Sequence, residues 1–488
     1  MKVSDLLKEI EYSHIINEQD LEFSNISYNS KTAKEGDLFI CLKGEHTDGH
    51  NFAKMAYENG VRVFVCERKL DCDAVQIIVN STRNVIAKIS AVLYENPSKK
   101  FNLIGLTGTN GKTTVTHLVQ KILEDDNQKC ALIGTLGYKL SSDGEYKEAK
   151  HTTPQAPELQ HTFKTILDNG IKNVAMEVSS HALEQNRVGE CEFNGAVLTN
   201  LTQDHLDYHI TMNNYFDAKS ILFKNLKKGA FAIINADDEY VQRFLDVVPD
   251  GVKIYTYGVK NNADIKAFDV NFDIHGASYK CKIFDKEYQI NLELNGMFSV
   301  YNSLAALSVA VAMDLNIENA VKTLENTKCV AGRFEIVNKK PLIIVDYAHT
   351  PDGLKNVLLA SKEIMPKNAK LICLFGCGGD RDATKRPKMG QIADELADKI
   401  VITSDNPRSE DPELIISDIM TGIRTVDTKR VFVEPDRGNA IKLLTRISDE
   451  NDVILVAGKG HEDYQILKDK TIHFDDREEV RKNFKILV

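Results

Sequence analysis

Residues 104–123 read IGLTGTNGKTTVTHLVQKIL, an apolar run followed by a glycine-rich loop and a helical pattern. Gly105, Gly108 and Gly111 let the backbone approach phosphate oxygens, and the helix start adds N–H donors and the positive end of its dipole. Lys112 suits the β- and γ-phosphates, and the Thr113 hydroxyl suits Mg2+. Gly108, Thr109, Asn110, Gly111 and Thr114 complete a cradle expected to bind ATP. The strict G-x-x-x-x-G-K-[ST] spacing is not met, because Leu106 stands at its first glycine position. The strand, loop and helix around the motif nevertheless imply a nucleoside-triphosphate site.

A second polar group lies near the other end of the chain. TSDNPRSEDP (403–412) follows the apolar run DKIVIT and gathers Asp405, Asn406 and Arg408 around the rigid Pro407. GCGGDRDATKRPKMG brings Arg381, and VAGKGHEDYQ brings Gly458 and Glu462. All follow strand-like runs of one α/β block, so they can converge beyond the carboxyl ends of its strands. Guanidinium groups suit a carboxylate and acids suit an ammonium. A ligand carrying both at one end, such as an amino-acid head, meets that demand.

Between these groups stand side chains that suit a metal or an anion. AMEVSSHAL ends a strand-like run with Glu177, and LTQDHLDYH holds His205. NNYFDAKSILF places Lys219 on a helical stretch, where a lone lysine is ordinarily a solvated surface residue. HTTPQ supplies Thr152 and Thr153, and SSHALEQNRV supplies Ser179, Gln185 and Arg187, the last a fork for carboxylate or phosphate. LNGMFSVYNSLAA carries Asn295 and Asn302, AGRFE carries Arg333, and VDYAHTPDGL carries Asp346 and His349.

The elements that must position these residues fall into three blocks. Residues 1–98 alternate short strand-like runs with two helical stretches, and YENPSKKFN then reads as a linker. Residues 99–331 alternate apolar strands and helices, as in a wound parallel sheet, with period-two alternation near 264–294 suggesting an antiparallel annex. Residues 332–488 repeat the α/β pattern. The fold class expected is α/β in three domains: a small N-terminal α/β domain, a central P-loop ATPase-type parallel sheet with its annex, and a C-terminal Rossmann-like domain. A length of 488 residues suits about two to four domains.

Composition narrows the partners. With 61 basic against 71 acidic residues the net charge is −10, which argues against general nucleic-acid binding. Nine scattered cysteines fit free thiols in a reducing compartment. No run approaches the roughly 18 apolar residues of a membrane span, and the acidic start is unlike a signal peptide. A cytoplasmic protein without membrane insertion, and a monomer, is expected.

The variant loop G-T-N-G-K-T-T resembles the ATP loop of the Mur ligase family, which adds amino acids to the peptidoglycan precursor, and the resemblance extends over all three blocks. It implies Mg2+ at Thr113, Glu177 and His205, and at Lys219 once that residue is carbamylated. Lys112, Lys219 and His205 are the catalytic set it implies, and Asn295, Arg333 and Asp346 join the ATP site. Thr152, Thr153, Ser179, Gln185 and Arg187 would hold UDP-N-acetylmuramoyl-L-alanyl-D-glutamate. Ser30, in the block that looks like a uridine-binding start, would contact the nucleotide; Lys31 follows it where the family commonly has arginine. D-N-P-R looks like the members that add meso-diaminopimelate, which implies Arg381, Asp405, Asn406, Pro407, Arg408, Gly458 and Glu462 as its clamp. Two other readings stay open: a folate-linked ligase of the same ancestry, and a non-catalytic nucleotide switch.

Overall fold

The structure, a computed structural model, describes residues 1–44, 47–149, 151–273, 275–424 and 427–485. Its strands form three main sheets, each from a continuous part of the chain. The first has five strands between His14 and Ile78; four are parallel, and His14–Ile16 closes one edge antiparallel. Val63–Cys66 and Val75–Ile78 are buried on both faces, as near-continuous apolar runs in parallel strands require.

The second sheet has ten strands. Its parallel centre places Asn102–Thr107 between Gly195–Leu198 and Asn173–Glu177. Ile265–Asp273, Gly276–Ile283 and Lys286–Leu292 form the antiparallel annex, and Ile265–Asp273 pairs parallel with Lys253–Gly258. The annex is therefore an extension of the same sheet. Period-two burial along Gly276–Ile283 shows why alternation was visible there: one face packs on Met297–Ala312 and the other meets solvent.

The third sheet has six strands, five of them parallel, with Glu335–Lys339 antiparallel at the edge. Its helices cover two separate apolar cores, one centred on Phe375 and Leu455 and one on Val345 and Val456. Leu342–Asp346, Leu371–Phe375, Lys399–Ile402 and Val453–Ala457 all end towards one side, which brings the polar segments after them together.

The expected linker is packed rather than loose. Pro97–Lys100 forms a short 3-10 turn with Pro97 and Ser98 buried, and the Ser98 hydroxyl donates to the Glu190 carbonyl at 3.2 Å. The proline and paired lysines disguised this, because only distant residues cover the turn.

Candidate active site

The glycine loop leaves Thr107 and turns at Gly108, whose φ of 145° only glycine adopts easily. A Cβ on Gly108 would lie 1.9 Å from the Thr199 hydroxyl oxygen and 3.0 Å from the Asn200 nitrogen. These neighbours, which sequence motifs did not single out, hold the loop from the next strand's exit. Thr199 donates to the Asn110 carbonyl at 2.6 Å, and the Asn110 N–H donates to Asn200 at 2.9 Å. Lys112 opens the helix Lys112–Asp125, and its ammonium donates to the Gly108 and Thr109 carbonyls at 2.8 and 2.9 Å. Gly108→Ala is expected to raise the KM for ATP by about tenfold or more, because the loop must shift to admit the methyl group. An unchanged KM would contradict that geometry.

Lys219 is not a solvated lysine. It lies 1% exposed on Met212–Lys224, donates to the same Gly108 carbonyl at 2.9 Å, and sits 4.6 Å from the Tyr215 ring centroid. Burial, reinforced by Lys112, holds its amine far below the ordinary lysine range. Glu177 is buried at its strand end, where Thr135 donates to it through backbone N–H and hydroxyl at 2.9 and 3.1 Å. His205 has a left-handed backbone and packs edge-on against His181, with ring centroids 4.9 Å apart.

Burial pushes the His205 imidazole down to about 3 against the pull of Asp204, and the same cause brings His117 and His209 to about 4 and His461 to about 3. Each is neutral in the fold but takes up a proton in the unfolded chain below about pH 6.5. Unfolding therefore binds protons, and stability falls as pH drops below that value. The melting temperature should decrease steadily from pH 7 to pH 5; a flat profile would contradict these assignments.

Thr153 and Arg187 organise a second polar patch. The Thr153 hydroxyl donates to the Glu177 carbonyl at 3.0 Å, the Thr152 and Thr135 hydroxyls are 3.2 Å apart, and Ser179 caps the helix Ser180–Glu184. Arg187 donates to the Thr153 carbonyl at 2.9 Å and to Gln185 at 2.8 Å. The first block meets this region through Tyr28, which donates to Glu158 at 2.6 Å. Ser30 is buried in that block, its carbonyl accepting from Asn59 at 2.8 Å.

A cavity of about 830 Å³ lies between the glycine loop and the third block, lined among others by Asn110, Thr114, Asn302, Arg333, Asp346 and His349. Arg333 donates to the Thr113 hydroxyl at 3.3 Å and lies over the Tyr347 ring at 4.5 Å. The Asp346 carboxylate accepts from the Phe334 and Ala348 N–H groups at 2.7 Å each. Asn295 requires a correction: it does not line this cavity. With its amide oriented to satisfy its neighbours, it donates to the Asp273 and Gly276 carbonyls of the annex, and Asn302, one turn into the following helix, takes the cavity wall.

Side chains of the third block also close onto the loop carrying His205. Asp204 is buried 3.3 Å from His205, 3.9 Å from His349 and 3.9 Å from Lys385. Burial alone would raise its carboxyl, but His205, Lys385 and His349 together hold it low. Gln203 donates to Thr384 at 3.1 Å, and Asn110 donates to Asp352 at 3.1 Å. Asp204 and Lys385 carried no motif signal, since only the fold brings them together.

The strand ends of the third sheet gather the remaining group. Arg408, with φ of 52°, donates to the Gly379 carbonyl at 2.8 Å. Burial lowers its guanidinium, as does the nearby charge of Arg381, while Asp405 and Glu462 oppose. Asn406 donates to Glu462 at 2.9 Å, and a Cβ on Gly458 would lie 3.1 Å from Asp405. Asp405, Asn406, Arg408 and Glu462 thus lie together, with the exposed Arg381 beside Arg408, Pro407 within the loop and Gly458 against Asp405. Lys459, fully buried among them, went unnoticed because a lysine between two glycines reads as a solvated loop.

Three family models match the chain: the Mur ligase family catalytic domain over 22–98, the Mur ligase middle domain over 106–310 and the glutamate ligase domain over 332–460. The chain belongs to the Mur ligase family. A Clostridium botulinum protein named UDP-N-acetylmuramoyl-L-alanyl-D-glutamate–2,6-diaminopimelate ligase is 44% identical over 494 residues, spanning 99% of this chain and 100% of that protein. A Listeria monocytogenes serotype 4b protein of the same name is 41% identical over 99% of this chain and 98% of its own. A solved structure of a ligase so named matches with a TM-score of 0.69 at 32% identity, covering 99% and 98% of the two chains. MurF ligase from Thermotoga maritima, solved with ADP, matches with a TM-score of 0.66 at 20% identity over 96% and 98%, and shares the fold.

Proposed function

We propose that this chain joins meso-diaminopimelate to the D-glutamate of UDP-N-acetylmuramoyl-L-alanyl-D-glutamate, using ATP, through an acyl phosphate. The observation that carries the choice of amino acid is the cluster of two arginines and two carboxylates at the third sheet's strand ends. It can hold a carboxylate and an ammonium at once, as the distal end of meso-diaminopimelate presents them.

Residues 1–98 bind the uridine end with Ser30, 99–331 hold ATP, and 332–488 hold the amino acid. Gly108, Thr109, Asn110, Gly111, Lys112, Thr113 and Thr114 cradle the phosphates, with Arg333 and Asp346 approaching from the third domain. Thr152, Thr153, Ser179, Gln185 and Arg187 position the dipeptide. Oxygen donors are what Mg2+ takes, and Thr113 and Glu177 supply them. Lys219 as an amine donates rather than ligates, so its part as a ligand requires carbamylation, for which a neutral buried amine is suited. Bound there with His205 nearby, Mg2+ would neutralise charge on the phosphates.

The γ-carboxylate of D-glutamate attacks the γ-phosphorus and ADP leaves. Lys112 holds the transferring group, and its positive charge stabilises the charge that develops. The amine of diaminopimelate then attacks the acyl carbon, phosphate leaves with the bonding pair, and the nitrogen loses a proton. The Asn110–Asp352 contact ties the third domain to the glycine loop, and closure there would exclude water from the acyl phosphate.

Phosphate release tests this reading. With ATP, Mg2+ and the UDP-linked dipeptide, meso-diaminopimelate should support turnover and L-lysine should not. Turnover with lysine alone would overturn the clamp assignment, and none with either would overturn the ligase reading.

A further inference from the structure

We propose that Lys459 is a positioning residue that sets the charge of the amino-acid clamp, offsetting one of its two carboxylates so that the site accepts a single ligand ammonium. This rests on the reading of the clamp given above. The Lys459 side chain is 0% exposed. It donates to Glu462 at 3.0 Å and to Asn406 at 3.2 Å, and lies 3.6 Å from Asp405.

Asp405 and Glu462 carry two negative charges and Lys459 one positive, so this side of the clamp keeps one negative charge. The Oδ1 of Asp405, a residue only 6% exposed, faces the Lys459 ammonium at 3.6 Å, beyond hydrogen-bond distance, and has no hydrogen-bond partner among the described residues. A buried acceptor left unsatisfied is costly, and an entering ammonium supplies the missing donor.

Other groups facing this set do not duplicate Lys459. Arg437 is also fully buried, but its guanidinium is bound bidentately to Asp476 at 2.7 Å for both contacts. Arg408 and Arg381 lie on the carboxylate side of the clamp, with Arg408 turned to the Gly379 carbonyl. Tyr464, Tyr347 and Cys377 also face Asp405 or Glu462, and burial keeps all three protonated. Burial and the charge of Asp405 raise the Glu462 carboxyl, and Lys459 and Asn406 oppose that rise. Without the ammonium, Glu462 holds its proton to higher pH, and once it ionises the clamp carries a second uncompensated negative charge.

The test compares wild type with Lys459→Met, Lys459→Gln and the double variant Lys459→Met/Glu462→Gln, by phosphate release between pH 7 and 9. The single variants should raise the KM for meso-diaminopimelate about 100-fold at pH 9, once Glu462 ionises and two uncompensated carboxylates face one ammonium. That KM should fall by up to about tenfold per pH unit as the pH is lowered and Glu462 takes up its proton, a slope absent from wild type, while the KM for ATP stays unchanged. The double variant, whose remaining charge again matches one ammonium, should recover at least about tenfold over Lys459→Met at pH 9 and lose the slope. A flat pH profile in the single variants, or a double variant weaker than Lys459→Met, would overturn the proposal and leave a packing role. Wild-type protein that releases no phosphate with meso-diaminopimelate would instead overturn the ligand assignment, and this inference with it.

Discussion

Arg408→Ala is expected to raise the KM for meso-diaminopimelate about 100-fold or more while leaving the KM for ATP within about twofold. The guanidinium is held by its own left-handed backbone and by the Gly379 carbonyl, 2.8 Å away, so little ordering remains to be done on binding. Half-buried beside Arg381, it would meet a ligand carboxylate with only part of its water removed. Alanine removes that partner and leaves the acids of the clamp in place. Discrimination between diaminopimelate and an amine without a distal carboxylate should therefore shrink as well. Parallel KM measurements with meso-diaminopimelate and L-lysine check both effects. An unaltered KM for diaminopimelate would mean that the arginine serves only the loop.

Lys219→Ala is expected to lower kcat by about a thousandfold or more, with only a small change in the KM for diaminopimelate. The residue is buried against the phosphate loop at Gly108, and burial holds its amine far below the ordinary lysine range, which favours the neutral form that reacts with carbon dioxide. Lys219→Arg should fail equally. A guanidinium cannot become a carbamate, and it would set a fixed cation beside Lys112. Single-turnover phosphate release and intact mass of the wild-type protein check this pair. An active Lys219→Arg variant would show that positive charge alone suffices.

Local signals made the phosphate loop legible. Gly108, Gly111, Lys112 and Thr113 are contiguous, and their chemistry follows from a strand running into a helix. The apolar strand runs were readable for the same reason, as was the annex, whose alternation reflects one buried and one wetted face. The residues expected to form the clamp are far apart in sequence, yet each follows a strand of one parallel sheet, so topology is what could bring them together.

What escaped the sequence depends on three-dimensional closure. Asp204 and Lys385 stand 3.9 Å apart across two domains, and neither lies in a motif that points to the other. Asn295 and Asn302 flank the same turn, and only the helix direction decides which faces the cavity and which serves the annex. Lys219 and Lys459 look like surface lysines until the chain folds over them.

Transfer of labelled oxygen tests the central claim, activation of a carboxylate as an acyl phosphate, most directly. UDP-N-acetylmuramoyl-L-alanyl-D-glutamate carrying 18O in the glutamate γ-carboxylate would be turned over with ATP and meso-diaminopimelate. The phosphate would then be examined by mass spectrometry. One labelled oxygen in each phosphate released is the result the proposed mechanism predicts. Phosphate without label, formed at the same rate as the amide product, would contradict it.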